Sequence, residues 1–269
     1  MFGEGFDTAM SGMDHHIVPF VVSAVDGGPV ISSALHAGHL VRESLRPYLA
    51  LGEEARRREE DPHTDVIADV GVPLVRVAAS RFEVDMNRPR DRAIYRDPED
   101  AWGLRVWEPG LPSDEVAASL RLYDLFYDRV EALLCRTVAS HGAAVVIDVH
   151  SYNHRRRGAE AADDPELSPE VNLGTGTLDH ERWRPAVERF MRDLTVAGLE
   201  VGENVRFQGG HFAAWAHERF SGDVAVLAVE FKKTFMDEWT GEADRTHITR
   251  LRRALAATVP ALRESLGRP

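Results

Sequence analysis

The stretch Ala-Ala-Val-Val-Ile-Asp-Val-His-Ser-Tyr, residues 143–152, decides the fold class of this chain. Its apolar run is short and is bounded by polar residues, which predicts a buried strand. Asp148 and His150 follow at the carboxyl end of that strand, where open α/β sheets usually bind ligands. Because residues i and i+2 of a strand face the same side, the carboxylate and the imidazole emerge together. Such a pair is either a hydrogen-bonded strand end or part of a metal or catalytic site.

Strands and helices alternate along the rest of the chain. The apolar patterns predict further strands at residues 17–25, 73–78, 201–207 and 224–230. They predict helices at residues 40–50, 55–69 with a break at Pro62, 113–140, 180–197 with Asp179 as cap, and 246–266. Residues 88–112 and 153–172 are predicted as loops, the second of them mobile. This alternation predicts a single α/β domain over residues 1–269, a three-layer α/β/α sandwich with a largely parallel or mixed central sheet.

Composition limits the possible functions. The chain has 269 residues, of which 43% are apolar and 28% are charged, an ordinary balance for a globular protein. A net charge of −12 argues against a nucleic-acid binder and against a protein that binds anionic membranes. The single cysteine, Cys135, excludes an intramolecular disulfide and a cysteine-rich zinc site, and its helical pattern predicts a small core residue. The sequence has no transmembrane run and no signal peptide, so we expect a cytoplasmic protein, and its oligomeric state stays open.

Polar motifs stand at the predicted strand ends and in the loops. They are Ser-Ala-Leu-His-Ala-Gly-His at 33–39, Glu-Glu-Asp-Pro-His-Thr-Asp at 59–65, Ser-Arg-Phe-Glu-Val-Asp-Met-Asn-Arg-Pro at 80–89, Asp-x-His-Ser at 148–151, Gly-Gly at 209–210, and Glu230 after the apolar run 224–229. In this order and spacing the motifs resemble the N-formylglutamate amidohydrolase family, from about residue 17 to about residue 241. No single motif is very specific, and the resemblance depends on their order.

The resemblance implies both a fold and a reaction. The fold is a phosphorylase/hydrolase-like α/β sandwich, similar to that of zinc carboxypeptidases. The reaction is metal-dependent hydrolysis of a small N-acyl acidic amino acid, which in the family is N-formyl-L-glutamate, cleaved to formate and glutamate. Zinc hydrolases hold the ion with three protein groups and leave one position for water or substrate. One Zn2+ per chain is therefore the expected cofactor, with another divalent metal as the open alternative, and a small acidic molecule is the expected partner.

The resemblance makes His36 and His150 metal ligands. The third ligand should be acidic, and Asp61 is the preferred residue. The acidic segment of the family aligns here in more than one way, so four other residues stay open: Glu60, Asp65, His39 and His63. His36 and His39 are three positions apart, which could place both on one metal if a helical turn starts there.

Glu230 is expected to be the general acid and base. It ends an apolar run, where a carboxylate is costly unless it has a partner or a function. A semi-buried glutamate at a strand end has the raised pKa that such a base needs. In the reaction that the resemblance implies, Glu230 takes a proton from the attacking water and returns it to the leaving amine. The structural alternative is an ion pair with Lys232 or Lys233.

Arg81, Asn87 and Arg88 form the expected substrate-binding group. Two guanidinium groups and an amide suit a substrate with carboxylates, because Arg binds a carboxylate through two parallel hydrogen bonds. Asp85 could pair with either arginine and orient it, and a surface Arg/Asp network is the alternative. The glycine pair and the residue after it supply two further candidates for contact with the ligand: Gly210 and His211.

One segment departs from the pattern that is usual in the family. Residues 231–241 read Phe-Lys-Lys-Thr-Phe-Met-Asp-Glu-Trp-Thr-Gly, where family members more often carry an Asn-Arg pair and a Tyr-Met. The proline usually found shortly after His-Ala-Gly is also missing. Lys232 and Lys233 either replace a carboxylate-binding arginine or are solvated. Two other functions therefore stay open: a carboxypeptidase-like or deacylating hydrolase for another acidic amide or a modified peptide, and a metal- or partner-binding protein that retains the fold.

Overall fold

A seven-stranded sheet forms the centre of the protein. The computed structural model describes residues 19–23, 27–161 and 167–266. The strands in these residues are β1 (Phe20–Val22), β2 (Val30–Ala34), β3 (Leu74–Val77), β4 (Ala144–Tyr152), β5 (Val171–Gly174), β6 (Val201–Glu203) and β7 (Val224–Lys232). They lie in the order β1-β3-β2-β4-β7-β5-β6. Neighbours among β3, β2, β4 and β7 are parallel, whereas β1 is antiparallel to β3 and β5 is antiparallel to β7, so the sheet is mixed.

Helices cover both faces of this sheet. The described α-helices are α1 (Glu53–Glu59), α2 (Thr64–Ala68), α3 (Ser113–His141), α4 (His180–Val196), α5 (His211–Arg219) and α6 (Arg245–Leu266). Helices α3 and α5 share one hydrophobic core with one face of the sheet, and α2, α4 and α6 share a second core with the other face. The predicted three-layer α/β/α sandwich is confirmed.

Strand β4 alternates its side chains between the two cores. All nine of its residues are buried, because helices lie on both sides of the strand. Ala144 and Val146 belong to the core with α3 and α5. Val145 and Ile147 belong to the core with α2, α4 and α6. Even-numbered β4 residues therefore face α3 and α5, and His150 continues this series.

Most predicted elements are confirmed to within a few residues. Asp179 caps α4, since its carboxylate accepts hydrogen bonds from the backbone N–H groups of Glu181 and Arg182 at 3.1 and 3.2 Å. Gly142 ends α3 with a φ of 78°, in the left-handed region that glycine adopts without strain. The predicted break at Pro62 separates α1 from α2. The sequence patterns therefore located the long elements that carry the site.

Two predictions about helices were wrong. Residues 40–50 contain a short 3-10 helix, Glu43–Tyr48, in place of an α-helix. Pro47 lies inside this segment, and a proline lacks the N–H group that an α-helix needs. Cys135 is exposed rather than buried in the core. It follows the buried Leu134 on α3, and one residue along a helix turns the side chain by about 100° away from the buried stripe.

Some predicted features lie outside the described residues. They include residues 17–18 and 24–25 of the first predicted strand, of which β1 is the described part, and residues 162–166 of the acidic run after β4. The predicted mobility of the loop after β4 stays a prediction. None of the helices in the described part of the chain has the length and apolar character needed to cross a membrane.

Candidate active site

Three of the predicted metal ligands meet at the carboxyl edge of the sheet. His36 follows β2, Asp61 follows α1, and His150 lies near the end of β4. Asp61 Oδ2 is 3.5 Å from Nδ1 of His36 and 3.2 Å from Nδ1 of His150. One ligand atom from each residue lies within 4.8 Å of the others, and all three side chains are buried. These three residues, the metal-ligand group, could hold a metal ion through one carboxylate oxygen and two imidazole nitrogens.

Each imidazole of the metal-ligand group is held from its other side by a carboxylate. His36 Nε2 is 2.7 Å from Asp85 Oδ1. His150 Nε2 is 2.9 Å from Asp148 Oδ2, and Ser33 Oγ donates to the same carboxylate at 2.6 Å. A ring nitrogen that donates to a carboxylate leaves the second nitrogen to bind an ion. Both Nδ1 atoms are therefore directed at the same carboxylate oxygen and at the space beside it.

Opposing effects set the charges of these buried residues. Burial raises the pKa of Asp61, but hydrogen bonds from His150 and His36 outweigh it and hold this pKa well below its usual value. Burial lowers the pKa of His150, but Asp148 and Asp61 outweigh it and raise this pKa well above its usual value. Three carboxylates, with Asp85 as the third, thus surround two imidazoles. The negative charge of this arrangement suits a cation.

The other candidates for the third ligand are directed elsewhere. Glu60 and His39 bind each other, with 2.5 Å between Oε2 and Nδ1. Asp65 pairs with an arginine of β3 at 3.7 Å, and His63 occupies the cap position before α2. The metal-ligand group found in the described residues includes none of these four side chains. Its acidic member is the preferred candidate of the sequence analysis, Asp61.

Glu230 borders the metal-ligand group on the neighbouring strand. In the parallel pairing of β4 and β7, Glu230 is the register partner of His150. Adjacent strands are about 4.8 Å apart, so the carboxyl group lies next to the imidazole. Burial raises the pKa of Glu230 to about 7, and the charge of His150 opposes that rise. A carboxyl group with such a pKa can take and return a proton at neutral pH.

Lys233 is buried and binds the backbone. Its Nζ donates to the carbonyl oxygens of Arg58 and Glu60, both at 2.6 Å. These two carbonyls belong to the last turn of α1 and to the residue before Asp61, so the lysine connects the end of β7 to the segment that carries Asp61. The residue is only 1% exposed. It is therefore not solvated, and its ammonium group holds a loop of the protein through two of its three N–H donors.

Arg81 and Arg88 lie over aromatic rings beside the metal-ligand group. Arg81 donates to Asp85 Oδ2 at 2.8 Å and to the hydroxyl of Tyr95 at 3.1 Å. Because Asp85 also binds His36, Arg81 holds the carboxylate that orients an imidazole. Arg88 donates to one backbone carbonyl at 3.1 Å, and its guanidinium lies 5.4 Å from the ring centre of Tyr95. Arg88 thus uses fewer of its N–H groups within the protein than Arg81 does.

The start of α5 contacts the predicted substrate-binding segment. Asn87 Oδ1 accepts a hydrogen bond from the backbone N–H of Phe212 at 2.9 Å, which caps the helix. A Cβ atom at Gly210 would come within 2.4 Å of the Asn87 amide, so any other residue there would displace the side chain that binds the helix N-terminus. His211 is the first residue of α5, and burial lowers its pKa. Asn87 and Gly210 therefore join a loop to a helix, and the substrate roles expected for these residues stay predictions.

The sequence analysis did not single out Asn172, which lies on the far side of Glu230. In the antiparallel pairing of β5 and β7, these two residues are register partners. The Asn172 carboxamide accepts hydrogen bonds from the backbone N–H groups of Arg206 and Phe207 at 2.8 and 3.3 Å. It also donates to the carbonyl of Phe207 at 2.8 Å. The available signal was a buried amide inside the apolar run Val-Asn-Leu, because a buried amide needs partners.

The fold and the metal-ligand group define an α/β protein with a candidate metal site at the carboxyl edge of its sheet. A profile of the N-formylglutamate amidohydrolase family matches residues 28–236, a range that includes the metal-ligand group and Glu230. The chain belongs to this family, whose members are hydrolases that act on an amide bond. The resemblance stated from the sequence motifs is confirmed.

Individual relatives agree with this assignment. The chain is 28% identical over 233 residues to N-formylglutamate deformylase of Pseudomonas putida, which covers 78% of this chain and 82% of that protein. The fold is similar to that of N-formylglutamate amidohydrolase from Ralstonia eutropha JMP134, with a TM-score of 0.75, 18% identity, and coverage of 91% of this chain and 98% of the other. A gene product of Agrobacterium tumefaciens has a TM-score of 0.64 at 16% identity, with coverage of 90% and 95%. These two structures support the fold.

Proposed function

We propose that this chain hydrolyses N-formyl-L-glutamate to formate and glutamate. Membership of the family supports amide-bond hydrolysis, and the Pseudomonas putida relative is an N-formylglutamate deformylase. The observation that carries the proposal is the position of Glu230, with its pKa of about 7, beside the metal-ligand group. Hydrolysis of an amide needs both parts, a cation that activates the carbonyl and a group that moves protons.

Zinc is the proposed cofactor. Two imidazoles and one carboxylate form a donor set typical of catalytic zinc, and three protein ligands leave a position for water or substrate. The carboxylates of Asp85 and Asp148 fit this assignment, since they bind the imidazoles at Nε2 and leave Nδ1 for the ion. When bound, the ion would polarise the formyl carbonyl and lower the pKa of a water molecule.

Glu230 moves the protons in the proposed reaction. Its carboxylate takes one proton from the attacking water, whose oxygen forms the new bond to the formyl carbon. The C–N bond then breaks, and Glu230 returns the proton to the leaving nitrogen. A pKa of about 7 leaves a large fraction of the enzyme in the ionised form at neutral pH. The buried environment of the end of β7 maintains this pKa, because burial penalises the charged form.

Arg88 is the proposed partner of a substrate carboxylate, with the Asn87 side-chain nitrogen as a further donor. A planar guanidinium binds a carboxylate through two hydrogen bonds. The ring of Tyr95, 5.4 Å from Arg88, holds the guanidinium in place by a cation–π contact. Arg81 contributes indirectly, through its hydrogen bond to Asp85. The substrate is therefore proposed to be an acidic amide rather than a neutral one.

Hydrolysis and metal content of protein purified without chelators test this proposal. We expect about one zinc per chain by elemental analysis, and formate release from N-formylglutamate. N-acetylglutamate and a dipeptide that ends in glutamate represent the deacylase and carboxypeptidase alternatives. Faster cleavage of either of them would assign that activity in place of deformylation. Failure of the metal-loaded protein to cleave any of the three would favour the metal- or partner-binding alternative.

A further inference from the structure

A second pair of cationic side chains, Arg206 and Lys232, lies close to Glu230. Lys232 is two residues after Glu230 on β7, so the two side chains face the same side of the sheet. Tyr152 is the register partner of Lys232 and stands two residues after His150 on β4. A cation and an aromatic ring therefore continue the face that carries His150 and Glu230, towards the outer ends of the two strands.

Asn172 fixes Arg206 beside this face. Directly opposed residues of antiparallel strands have side chains about 5 Å apart, and Asn172 is opposed to Glu230. The carboxamide of Asn172 accepts a hydrogen bond from the backbone N–H of Arg206 at 2.8 Å. Its two further hydrogen bonds with the backbone of Phe207, at 3.3 and 2.8 Å, hold the segment in one orientation. The backbone of Arg206 is thus separated from Glu230 by a single side chain.

Arg206 and Lys232 share one anchor and one aromatic surface. Arg206 Cζ lies 5.0 Å from the ring centre of Tyr152, and its Nη1 donates to Ser168 Oγ at 3.0 Å. Lys232 Nζ donates to the carbonyl oxygen of the same serine at 3.2 Å. Ser168 therefore brings the two positive charges together, and the ring supports the guanidinium. Arg206 is exposed, so an anion from solution can reach it.

We propose that Arg206 and Lys232 form a second anion subsite, which binds one carboxylate of a dicarboxylic N-formyl amino acid while Arg88 binds the other. This inference rests on the proposed function. Arg88 follows β3, and Arg206 lies beside β5, on opposite sides of the strand pair β4 and β7 in the sheet order. In this proposal the reacting amide lies next to Glu230, and one carboxylate is directed to each cationic group. N-formylglutamate carries both of its carboxylates on the amine side of the amide, one on Cα and one at the end of the side chain, so it supplies one anion for each cationic group.

Two mono-amides of N-formylglutamate remove the carboxylates one at a time. N-formylglutamine lacks the side-chain carboxylate, and N-formylisoglutamine lacks the α-carboxylate. Arg206→Met should lower kcat/KM for N-formylglutamate by about 10- to 100-fold, the range for loss of a hydrogen bond to a charged group. One mono-amide lacks the carboxylate that Arg206 binds, and on this compound the variant and the wild type should have equal kcat/KM. On the other mono-amide, kcat/KM of the variant should fall by the same factor as on N-formylglutamate. Lys232→Met should share this pattern, and Arg88→Met should show the reverse.

Matched variants separate this result from general effects of charge. Arg192→Met removes an exposed arginine of α4, on the opposite face of the sheet, and should match the wild type on all three substrates. Arg206→Lys keeps the positive charge but lacks the planar guanidinium group. Its kcat/KM should lie between the values of Arg206→Met and the wild type. An equal loss on all three substrates, or no loss on N-formylglutamate, would overturn the second subsite.

Binding of simple acids tests the subsite without turnover. Calorimetry with glutarate and butyrate compares a dicarboxylate with a monocarboxylate of similar length. The wild type should bind glutarate more tightly, and Arg206→Met should remove that preference. If the wild type cleaves none of the formyl compounds yet shows this preference, the proposed reaction is wrong while the subsite stands. Equal binding of both acids by the wild type would reject the subsite.

Discussion

Replacement of Glu230 by glutamine should stabilise the metal-free protein at neutral pH. The carboxyl group has an ordinary pKa of 4.5, and burial raises it to about 7 in the folded chain. At about 1.4 kcal/mol for each pKa unit, the difference corresponds to about 3 kcal/mol. This is the free energy by which ionised Glu230 destabilises the folded state relative to the unfolded state.

The stability of the wild type should fall as the pH rises from about 4.5 to about 7. In this range the folded chain keeps the proton of Glu230 and the unfolded chain releases it, so rising pH favours unfolding. Above about pH 7 the carboxyl group is ionised in both the folded and the unfolded state. The loss of stability then stays at its full value. Glutamine is uncharged at every pH, so the stability of Glu230→Gln should not fall for this reason as the pH rises.

Urea unfolding of chelator-treated protein at pH 4, 6 and 8 measures the effect. The free energy of unfolding of Glu230→Gln should rise by about 3 kcal/mol relative to the wild type between the lowest and highest pH. Titrating groups that do not interact with Glu230 cancel in this difference. Glu54→Gln, at an exposed position of α1, is the control. The difference between its free energy of unfolding and that of the wild type should not change with pH. A difference for Glu230→Gln that is independent of pH would refute the reasoning. Turnover of the metal-loaded variant should fall by about 10²- to 10⁴-fold.

Three further results are expected. His150→Ala should lose metal and activity together, by elemental analysis and formate release, whereas Glu230→Gln should keep its metal. Metal affinity should rise with pH above the ordinary histidine pKa of 6.5, because Asp148 and Asp61 hold a proton on His150 that the ion must displace. Calorimetry in buffers of different ionisation enthalpy counts that proton, and binding without proton release would contradict this. Lys233→Met should weaken zinc affinity in chelator competition, because it removes both hydrogen bonds to the segment before Asp61. An unchanged affinity would leave this lysine with a role in stability alone.

The site residues that the sequence located depend on local geometry. Asp148 and His150 are two positions apart on one strand, and the period of a strand puts them on the same side in any α/β fold. The structure has them hydrogen-bonded at 2.9 Å. Glu230 ends an apolar run, and the burial of that run is the cause of its raised pKa. Each of these inferences needs only a few consecutive residues.

Contacts between distant loops could not be predicted in this way. Asp85 was expected to orient an arginine, and it does bind Arg81, but its bond to His36 joins residues 49 positions apart. Lys233 binds the carbonyl of Glu60 across 173 positions. Such pairs depend on the conformations of loops, for which no periodic pattern exists. The choice among the acidic residues of 59–65 stayed open for the same reason.

The unusual segment after Glu230 is therefore compatible with the chemistry of the family. From the sequence, a lysine pair in place of Asn-Arg indicated a change in substrate binding. Lys233 instead holds the backbone before Asp61, so this substitution acts on the metal-ligand group. The residues proposed to select the substrate are Arg88 and Arg206, which lie in loops on either side of the two central strands, and Lys232, which ends β7. Since loops vary without disturbing the strands that hold the ligands, a change of substrate would involve those arginines, and within the segment 231–241 it would involve Lys232.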